Sequence, residues 1–181
     1  VHAAAKEHFQ VTSLRPSVIF GPGDSFLNRF ADLLRLAPGF IPLACPEARF
    51  APVYIGDVVE TAIQALSDPK AGGQRIDLCG PQGYTLEELV RYTASQIGVR
   101  RRILGLNPRL SQLQARIFEY LPGKPFSLDN HASMQVDSIC SPESKTCPTS
   151  LESVAPHYLG AKEPQRQLQR WREMAGREDA I

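Results

Sequence analysis

Few residues of this sequence stand at spacings that catalysis or ligand binding requires. Gly21-Pro22-Gly23 is a G-x-G, but it lacks a third glycine and has a proline in the middle. It therefore predicts a plain turn rather than a dinucleotide-binding loop. No P-loop, HExxH or G-x-S-x-G motif is present. The four histidines are scattered, and no two are four residues apart. The residues by themselves assemble no catalytic group and no metal site.

Two basic stretches are candidates for binding an anion or a surface. The run Arg100-Arg101-Arg102 could contact a phosphate, and the alternative is a solvated end of an element. Near the C-terminus, arginines at 166, 170, 172 and 177 accompany Trp171, a pattern that could contact a membrane surface or a partner. Acidic residues at 163, 173, 178 and 179 dilute that charge.

The four cysteines are Cys45, Cys79, Cys140 and Cys147, and none belongs to a CxxC pair. No second Cys/His pair stands at a zinc-ligand spacing. Four cysteines in 181 residues do not make a disulfide scaffold. We therefore predict free thiols in a reducing compartment, with a Cys140–Cys147 bridge as the alternative.

Composition excludes several classes of protein. Hydrophobic residues make up 43% of the 181-residue chain and charged residues 22%, as in globular proteins rather than disordered ones. A net charge of +1 argues against a dedicated nucleic-acid binder. No apolar run approaches the roughly 20 residues that span a bilayer.

The hydrophobic pattern alternates strands with helices, which favours the α/β class. A strand is predicted over residues 11–20, with Pro16 causing an edge, a bulge or a break. Asp24 or Ser25 is expected to cap a helix over 26–36, and Asp57 a helix over 58–66. Thr85 and Glu88 form a predicted capping box. The other expected elements are a helix ending near residue 9, a Pro-rich connection over 40–52, strands over 53–55, 75–79 and 101–106, and helices over 85–97, 108–121, 127–136, 150–159 and 163–174.

Several of these segments resemble one known family. Residues 14–24 (LRPSVIFGPGD) resemble the strand and turn that follow the active-site helix of extended short-chain dehydrogenase/reductases. Residues 52–59 (PVYIGDVV) and 77–89 are similar to later elements of that family, in the same order. The tail segment around 127–137 resembles the branch that contains the nucleotide-binding accessory subunit of respiratory complex I and its bacterial relatives.

The resemblance implies that the chain is the C-terminal portion of a Rossmann-like, NAD(P)-binding fold of the epimerase/dehydratase type. Residues 1–80 would supply the last parallel strands of the nucleotide-binding sheet. Residues 81–160 would form a smaller substrate-side lobe, and 161–181 a terminal helix. An isolated portion of this kind would have an uncovered apolar face and a tendency to associate.

The family's Gly-rich phosphate loop and its Tyr-x-x-x-Lys pair are not found before Leu14, where the family has them. Lys6 lies too close to Leu14 to be the catalytic lysine, and His2 does not replace the tyrosine. We therefore assign no catalytic residue, and we expect weak or no nucleotide binding by this chain alone.

The family nevertheless implies positions near its ligands. Backbone groups at Pro16, Ser17 and Val18 would lie against the nicotinamide end of the cofactor. Asp57 is expected to be structural. The positions expected to border the substrate are Phe20, Phe26, Asn28 and, for substrate phosphates, Arg49.

The resemblance implies NAD or NADP as cofactor of the parent protein, which would be an oxidoreductase or a structural nucleotide-binding protein. The expected partners are an unidentified small-molecule substrate and a respiratory-complex or membrane-peripheral partner, with no nucleic acid. The expected location is cytoplasmic or peripheral to the inner membrane. The alternatives are a non-catalytic scaffold or assembly factor of a respiratory or quinone-related complex, and a nucleotide-sugar epimerase or dehydratase.

Overall fold

The computed structural model describes residues 11–118, 128–141, 144 and 146–159. The helices expected to end near residue 9 and to run over 163–174, and the end of the helix expected near 121, lie outside these residues. The described strands are β1 Ser13–Pro16, β2 Ile19–Phe20, β3 Phe40–Leu43, β4 Arg49–Phe50, β5 Val53–Tyr54, β6 Arg75–Leu78, β7 Tyr84–Thr85 and β8 Arg102–Gly105. The described α-helices are α1 Leu27–Leu36, α2 Ile55–Ser67, α3 Leu86–Gln96, α4 Pro108–Phe118, α5 Leu128–Ser133 and α6 Leu151–Leu159.

The strands pair in twos, and the partners are distant in sequence. β1 pairs with β6, β2 with β5 and β3 with β8, all parallel, whereas β4 and β7 are antiparallel. Parallel partners require a crossover, and helices of the chain supply it. The predicted α/β class is thus confirmed.

The strand predicted over 11–20 is interrupted where expected. β1 ends at Pro16, and β2 begins at Ile19. Between them, the N–H of Ser17 donates to the carbonyl of Leu78 and the carbonyl of Val18 accepts from Val53, each at 2.9 Å. The chain therefore changes partner from β6 to β5 just after the proline.

Two of the predicted helix starts are confirmed and one is wrong. Asp24, not Ser25, caps α1, and the Thr85–Glu88 capping box opens α3. α2 begins at Ile55, three residues earlier than predicted, with Tyr54 at the N-cap. Asp57 lies inside the first turn, and its carboxylate instead accepts hydrogen bonds from the N–H and hydroxyl of Thr149 at 3.1 and 2.8 Å. The role of Asp57 is therefore set by its contact with Thr149, 92 residues away, and not by the start of the helix.

The Pro-rich segment 40–52 is more regular than predicted, because it contains β3 and β4. Pro42 is tolerated in β3 because that strand pairs on one side only, with β8. The expectation of a mere connection was wrong, since both strands depend on partners that come much later in the chain.

The buried side chains form three groups. The first packs α1, α3 and α6 around Phe20, with Tyr158 and Leu159 from α6. The second joins α1 and α3 to β3, through Leu34, Leu86 and other apolar side chains. The third is small and lies between β5 and β6: Val53, Leu78 and Cys147. The first group therefore packs α6, near the end of the described chain, against β2 and α1, near its beginning.

A disulfide joins Cys79 to Cys140, 61 residues apart, with their Cα atoms 5.9 Å apart. The prediction of four free thiols is therefore wrong, and so is the alternative Cys140–Cys147 pairing. Cys140 and Cys147 are close in sequence, but Cys140 pairs with Cys79 because the end of β6 lies next to the segment after α5. Cys147 lies next to this bridge, where its N–H donates to the carbonyl of Cys79 at 2.7 Å.

α2 presents apolar side chains to the surface. Val59, Ile63 and Leu66 are 50%, 59% and 89% exposed, and none of the residues of this helix is buried. The structure thus has an apolar face of the kind that the sequence predicts. In the described part of the chain, every helix is too short or too polar to cross a membrane.

Candidate functional site

The junction between β1 and β2 holds the three residues predicted to lie near a nicotinamide. Pro16 is exposed at the end of β1, Ser17 is 9% exposed and Val18 is half-buried. They lie at the carboxyl end of a parallel strand pair, the edge at which doubly wound sheets bind ligands.

The hydroxyl of Ser17 is fully engaged by the protein. It donates to the carbonyl of Ser138 at 2.5 Å, and it accepts the N–H of Ala51 at 3.2 Å. The N–H of Ser138 donates in turn to the carbonyl of Arg49 at 2.8 Å. Residues around Ser138 are thereby fastened across the strand junction, and Ser17 acts as a structural side chain in the described chain.

A cleft of about 250 Å³ lies beside this junction. Its lining includes Arg15, Ser17, Asp77, Asp137 and the Cys79–Cys140 disulfide. Arg15 and Asp77 form a forked ion pair, with Nε to Oδ1 at 2.7 Å and Nη2 to Oδ2 at 3.0 Å. The cleft is smaller than the roughly 300–1,000 Å³ of typical small-molecule sites. It can accommodate one end of a dinucleotide at most.

The turn after β2 is organised by one carboxylate. Asp24 Oδ1 accepts the N–H groups of Phe26, Leu27 and Asn28 at 2.9, 2.6 and 3.3 Å. Asp24 Oδ2 accepts the hydroxyl of Tyr158 at 2.7 Å. We call this arrangement the Asp24 cap. It occupies the N-terminus of α1, a kind of position at which helices can bind anions.

These contacts test whether the described residues fit a dinucleotide. A pyrophosphate needs unused N–H groups, and those at the start of α1 already bind Asp24. The neighbouring cleft carries Asp77, which is paired with Arg15, and Asp137, whose charge opposes a phosphate. The start of α1 therefore does not fit the phosphate part of NAD or NADP.

Of the residues predicted to border a substrate, Phe20 and Phe26 pack in the same apolar group, whereas Asn28 and Arg49 lie on α1 and β4. Phe20 is 1% exposed in the core, with its ring 5.7 Å from that of Tyr54. Phe26 packs between Phe30 and Phe50. Asn28 and Arg49 lie on separate elements: the amide of Asn28 donates to the carbonyl of Asp24 at 3.0 Å, and Arg49 is exposed on β4. Their assignment to a substrate stays a prediction.

Three tyrosines near α6 escaped the sequence analysis. The hydroxyl of Tyr84 donates to Glu152 at 2.6 Å, and the hydroxyl of Tyr92 is buried without a hydrogen-bond partner among the described residues. Burial raises the pKa of Tyr84, Tyr92 and Tyr158, and the nearby carboxylate of Glu152 or Asp24 raises each pKa further. All three stay protonated at neutral pH. Tyr92 and Tyr158 are polar-tipped aromatics on otherwise apolar helix faces, which is the sequence signal that could have found them, whereas Tyr84 lies on β7.

The described residues supply no other catalytic chemistry. Burial raises the pKa of the Cys45 thiol, so a neutral thiol is favoured. No group of three metal-ligating side chains is found in the described ranges. A dehydrogenase tyrosine must instead have a lowered pKa to exchange protons near neutrality.

Comparison with known proteins gives the chain its relatives. It is 40% identical over 80 residues to the mitochondrial NADH dehydrogenase (ubiquinone) 1 alpha subcomplex subunit 9 of Mus musculus, covering 44% of this chain and 21% of that protein. Its counterpart in Arabidopsis thaliana is 28% identical over 133 residues, 72% of this chain and 33% of that protein. This chain is homologous to respiratory NADH dehydrogenase subunits.

A third relative extends the match. The mitochondrial NADH-ubiquinone oxidoreductase 40 kDa subunit of Neurospora crassa is 24% identical over 157 residues, 83% of this chain and 41% of that protein. The chain thus spans less than half of each of these curated relatives. They confirm the predicted resemblance to the complex I accessory branch. No protein-family profile matches the chain.

Two solved structures are similar to parts of the chain. A UDP-glucose 4-epimerase of Thermus thermophilus in complex with NAD gives a TM-score of 0.46 at 19% identity, over 68% of this chain and 47% of that chain. MoeE5 in complex with UDP-glucose and NAD gives 0.49 at 15% identity, over 86% and 47%.

Proposed function

We propose that this chain is part of a non-catalytic accessory subunit of a respiratory NADH dehydrogenase. The observation that carries the proposal is the homology to such subunits in animals, plants and fungi. Within that assembly a structural role would be sufficient for this chain, because the redox reaction of the complex does not require a second active site in an accessory subunit.

The chemistry of the described residues supports a non-catalytic role. Ser17, which the family resemblance predicts to border the nicotinamide, already donates its hydroxyl to Ser138 and accepts the N–H of Ala51. The buried tyrosines have raised pKa values, the opposite of what a proton-transferring tyrosine needs.

A nucleotide in the whole protein would be held mainly by residues outside those described here. Pro16, Ser17 and Val18 would border its nicotinamide end, with residues 1–80 in the nucleotide-binding sheet and 81–160 in the adjoining lobe. The capped start of α1 leaves no place for the phosphates. We therefore expect this chain alone to bind NADH or NADPH with a Kd weaker than about 10 µM, or about −7 kcal/mol. Isothermal titration of the chain with each nucleotide measures this, and tighter binding would show that the described fold holds a complete site.

The proposed location follows from the relatives, whose names place them in mitochondria. We propose that the whole protein is peripheral to the inner membrane and bound to the respiratory complex. A small-molecule substrate remains an expectation of the family resemblance only.

The test is assembly in the cells that make the protein. The gene is disrupted, and membranes are assayed for NADH:quinone reductase activity and resolved by native electrophoresis. We expect activity and the assembled complex to be lost and restored by the tagged whole protein, which co-migrates with identified NADH dehydrogenase subunits. A protein that migrates alone, from cells whose membranes keep full activity, would contradict the proposal.

Substrate assays separate this proposal from the enzymatic alternatives. A purified whole protein that consumes NADPH with a carbonyl substrate is an oxidoreductase. For the nucleotide-sugar alternative, Arg49→Ala should strongly weaken UDP-sugar binding. Arg75→Ala serves as a control because Arg75 is also an exposed strand arginine. If neither variant changes binding, Arg49 has no role in a phosphate site.

A further inference from the structure

The arginine run 100–102 lies at a meeting point of four elements. α3 ends at Gln96, and the chain reverses at Gly98, whose φ is +70°. The N–H of Arg102 then donates to the carbonyl of Gly39 at 3.0 Å as β8 joins β3. The run is therefore held in place by backbone hydrogen bonds and is not a loose loop.

An open cavity of about 790 Å³ lies at this point, on residues that take no part in the cleft at Ser17. Its lining includes Arg91, Arg100, Arg101 and Arg102, and none of the described residues that line it is acidic. We call it the arginine cavity. Its volume is within the range of small-molecule sites.

Two of the four guanidinium groups are already engaged. Arg91 donates to Glu87 on the same helix, with Nε at 2.9 Å from Oε1. Arg101 donates from Nε to the carbonyl of Leu34 at 3.1 Å and from Nη1 to the carbonyl of Arg100 at 3.1 Å. Arg101 thus binds the last turn of α1, where a cation is favoured by the helix dipole.

Arg101 caps the last turn of α1, but no such role accounts for Arg100 and Arg102. Arg100 and Arg102 are exposed, and neither forms a salt bridge with a described residue. Three consecutive guanidinium groups repel one another, and an anion would relieve that repulsion. Each guanidinium can also bind a phosphate through two parallel hydrogen bonds.

We propose that the arginine cavity binds a phosphate-bearing anion through Arg100 and Arg102, with Arg101 fixing the position of the run. The site is independent of the accessory role argued above and of the cleft at Ser17. The phosphate could come from a soluble compound or from the headgroup of an anionic lipid, and the two sources share the chemistry that these side chains recognise.

The test compares two variants of equal charge. Arg100→Gln/Arg102→Gln removes both exposed arginines of the cavity. Arg75→Gln/Arg109→Gln removes two exposed arginines elsewhere and so lowers the net charge equally. Circular dichroism verifies the fold of each variant. The single variant Arg100→Gln serves if the double variant does not fold.

The probes are inorganic pyrophosphate and vesicles of phosphatidylcholine with or without phosphatidylglycerol. Titration of the chain with pyrophosphate and co-sedimentation with the vesicles report the two sources. We expect the cavity variant to bind at least about tenfold more weakly, since hydrogen bonds to charged groups contribute about 1.5–3 kcal/mol each. The control variant should bind like the unmodified chain.

Binding of pyrophosphate identifies a soluble phosphate ligand, and binding only to anionic vesicles identifies a lipid headgroup. Either result supports the site if the cavity variant alone is impaired. Equal weakening in both variants would show general charge attraction, and the absence of binding to every probe would remove the site. Neither result bears on assembly with the respiratory complex.

Discussion

The Asp24 cap allows one interaction to be tested in detail. Replacing Asp24 with alanine removes the acceptor of three N–H groups at the start of α1 and of the Tyr158 hydroxyl. Loss of an N-cap costs about 1 kcal/mol. Leaving the hydroxyl of a 5%-exposed tyrosine unpaired costs a further 1–3 kcal/mol, roughly. The free energy of unfolding should therefore fall by about 2–4 kcal/mol.

Urea unfolding followed by circular dichroism measures this loss. Asp24→Asn is the matched control, because its amide oxygen still caps the helix and its size is unchanged. It should be closer to the parent than Asp24→Ala. Tyr158→Phe removes only the hydroxyl and should cost about 1 kcal/mol.

A double-mutant cycle tests whether the two residues act together. The loss in Asp24→Ala/Tyr158→Phe should be smaller than the sum of the two single losses by at least 0.5 kcal/mol, as is typical of residues in contact. Additive losses, or an Asp24→Ala variant as stable as the parent, would refute the reasoning.

The same contact predicts a dependence on alkaline pH. Burial, and then Asp24, raise the pKa of Tyr158 above that of an unfolded tyrosine, about 10. The folded state holds this proton more tightly, so the stabilisation is complete below pH about 10 and is lost as pH rises beyond it. The free energy of unfolding should fall less steeply above pH about 10 in Tyr158→Phe. Equal slopes in the two proteins would contradict the assignment.

Two further substitutions test the strand packing and the bridge. Cys140→Ser opens a 61-residue loop and should cost up to about 4 kcal/mol, and a reductant should have no further effect on this variant in unfolding experiments. Gly80→Ala would place a Cβ 1.8 Å from the carbonyl oxygen of Pro52 and should lower the unfolding midpoint sharply, by an equivalent of roughly 4 kcal/mol. Gly83→Ala is its control, because the nearest atom there is 3.8 Å away; equal effects at the two glycines would show that the close contact is not what matters.

Local features of the fold could be predicted from the sequence. The Thr85–Glu88 capping box needs only two residues three positions apart, and it opens α3 as expected. The break at Pro16 also follows from one residue, since proline has no N–H to donate to a strand. Such predictions succeed because the interacting groups are neighbours in the chain.

The failures all involve partners far away in sequence. Asp57 is a residue type that commonly caps helices, yet its carboxylate accepts a hydrogen bond from Thr149, 92 positions away. Cys79 and Cys140 pair across 61 positions, and Tyr158 reaches Asp24 across 134. Sequence patterns among neighbouring residues cannot show which of these distant contacts form, because tertiary packing decides which groups meet.

The polar side chains around the predicted cofactor edge are bonded to other parts of this chain. Ser17 is predicted from the family resemblance to border the nicotinamide, and Asp24 lies in the turn after β2. Both direct their side chains to partners late in this chain, Ser138 and Tyr158. The bond of Ser17 joins the β1–β2 junction to the segment after α5. The bond of Asp24 joins the turn after β2 to α6. A catalytic site needs polar groups whose bonds are completed by the substrate, whereas these are completed by the protein. That arrangement favours rigidity over turnover, as the accessory role proposed above would require.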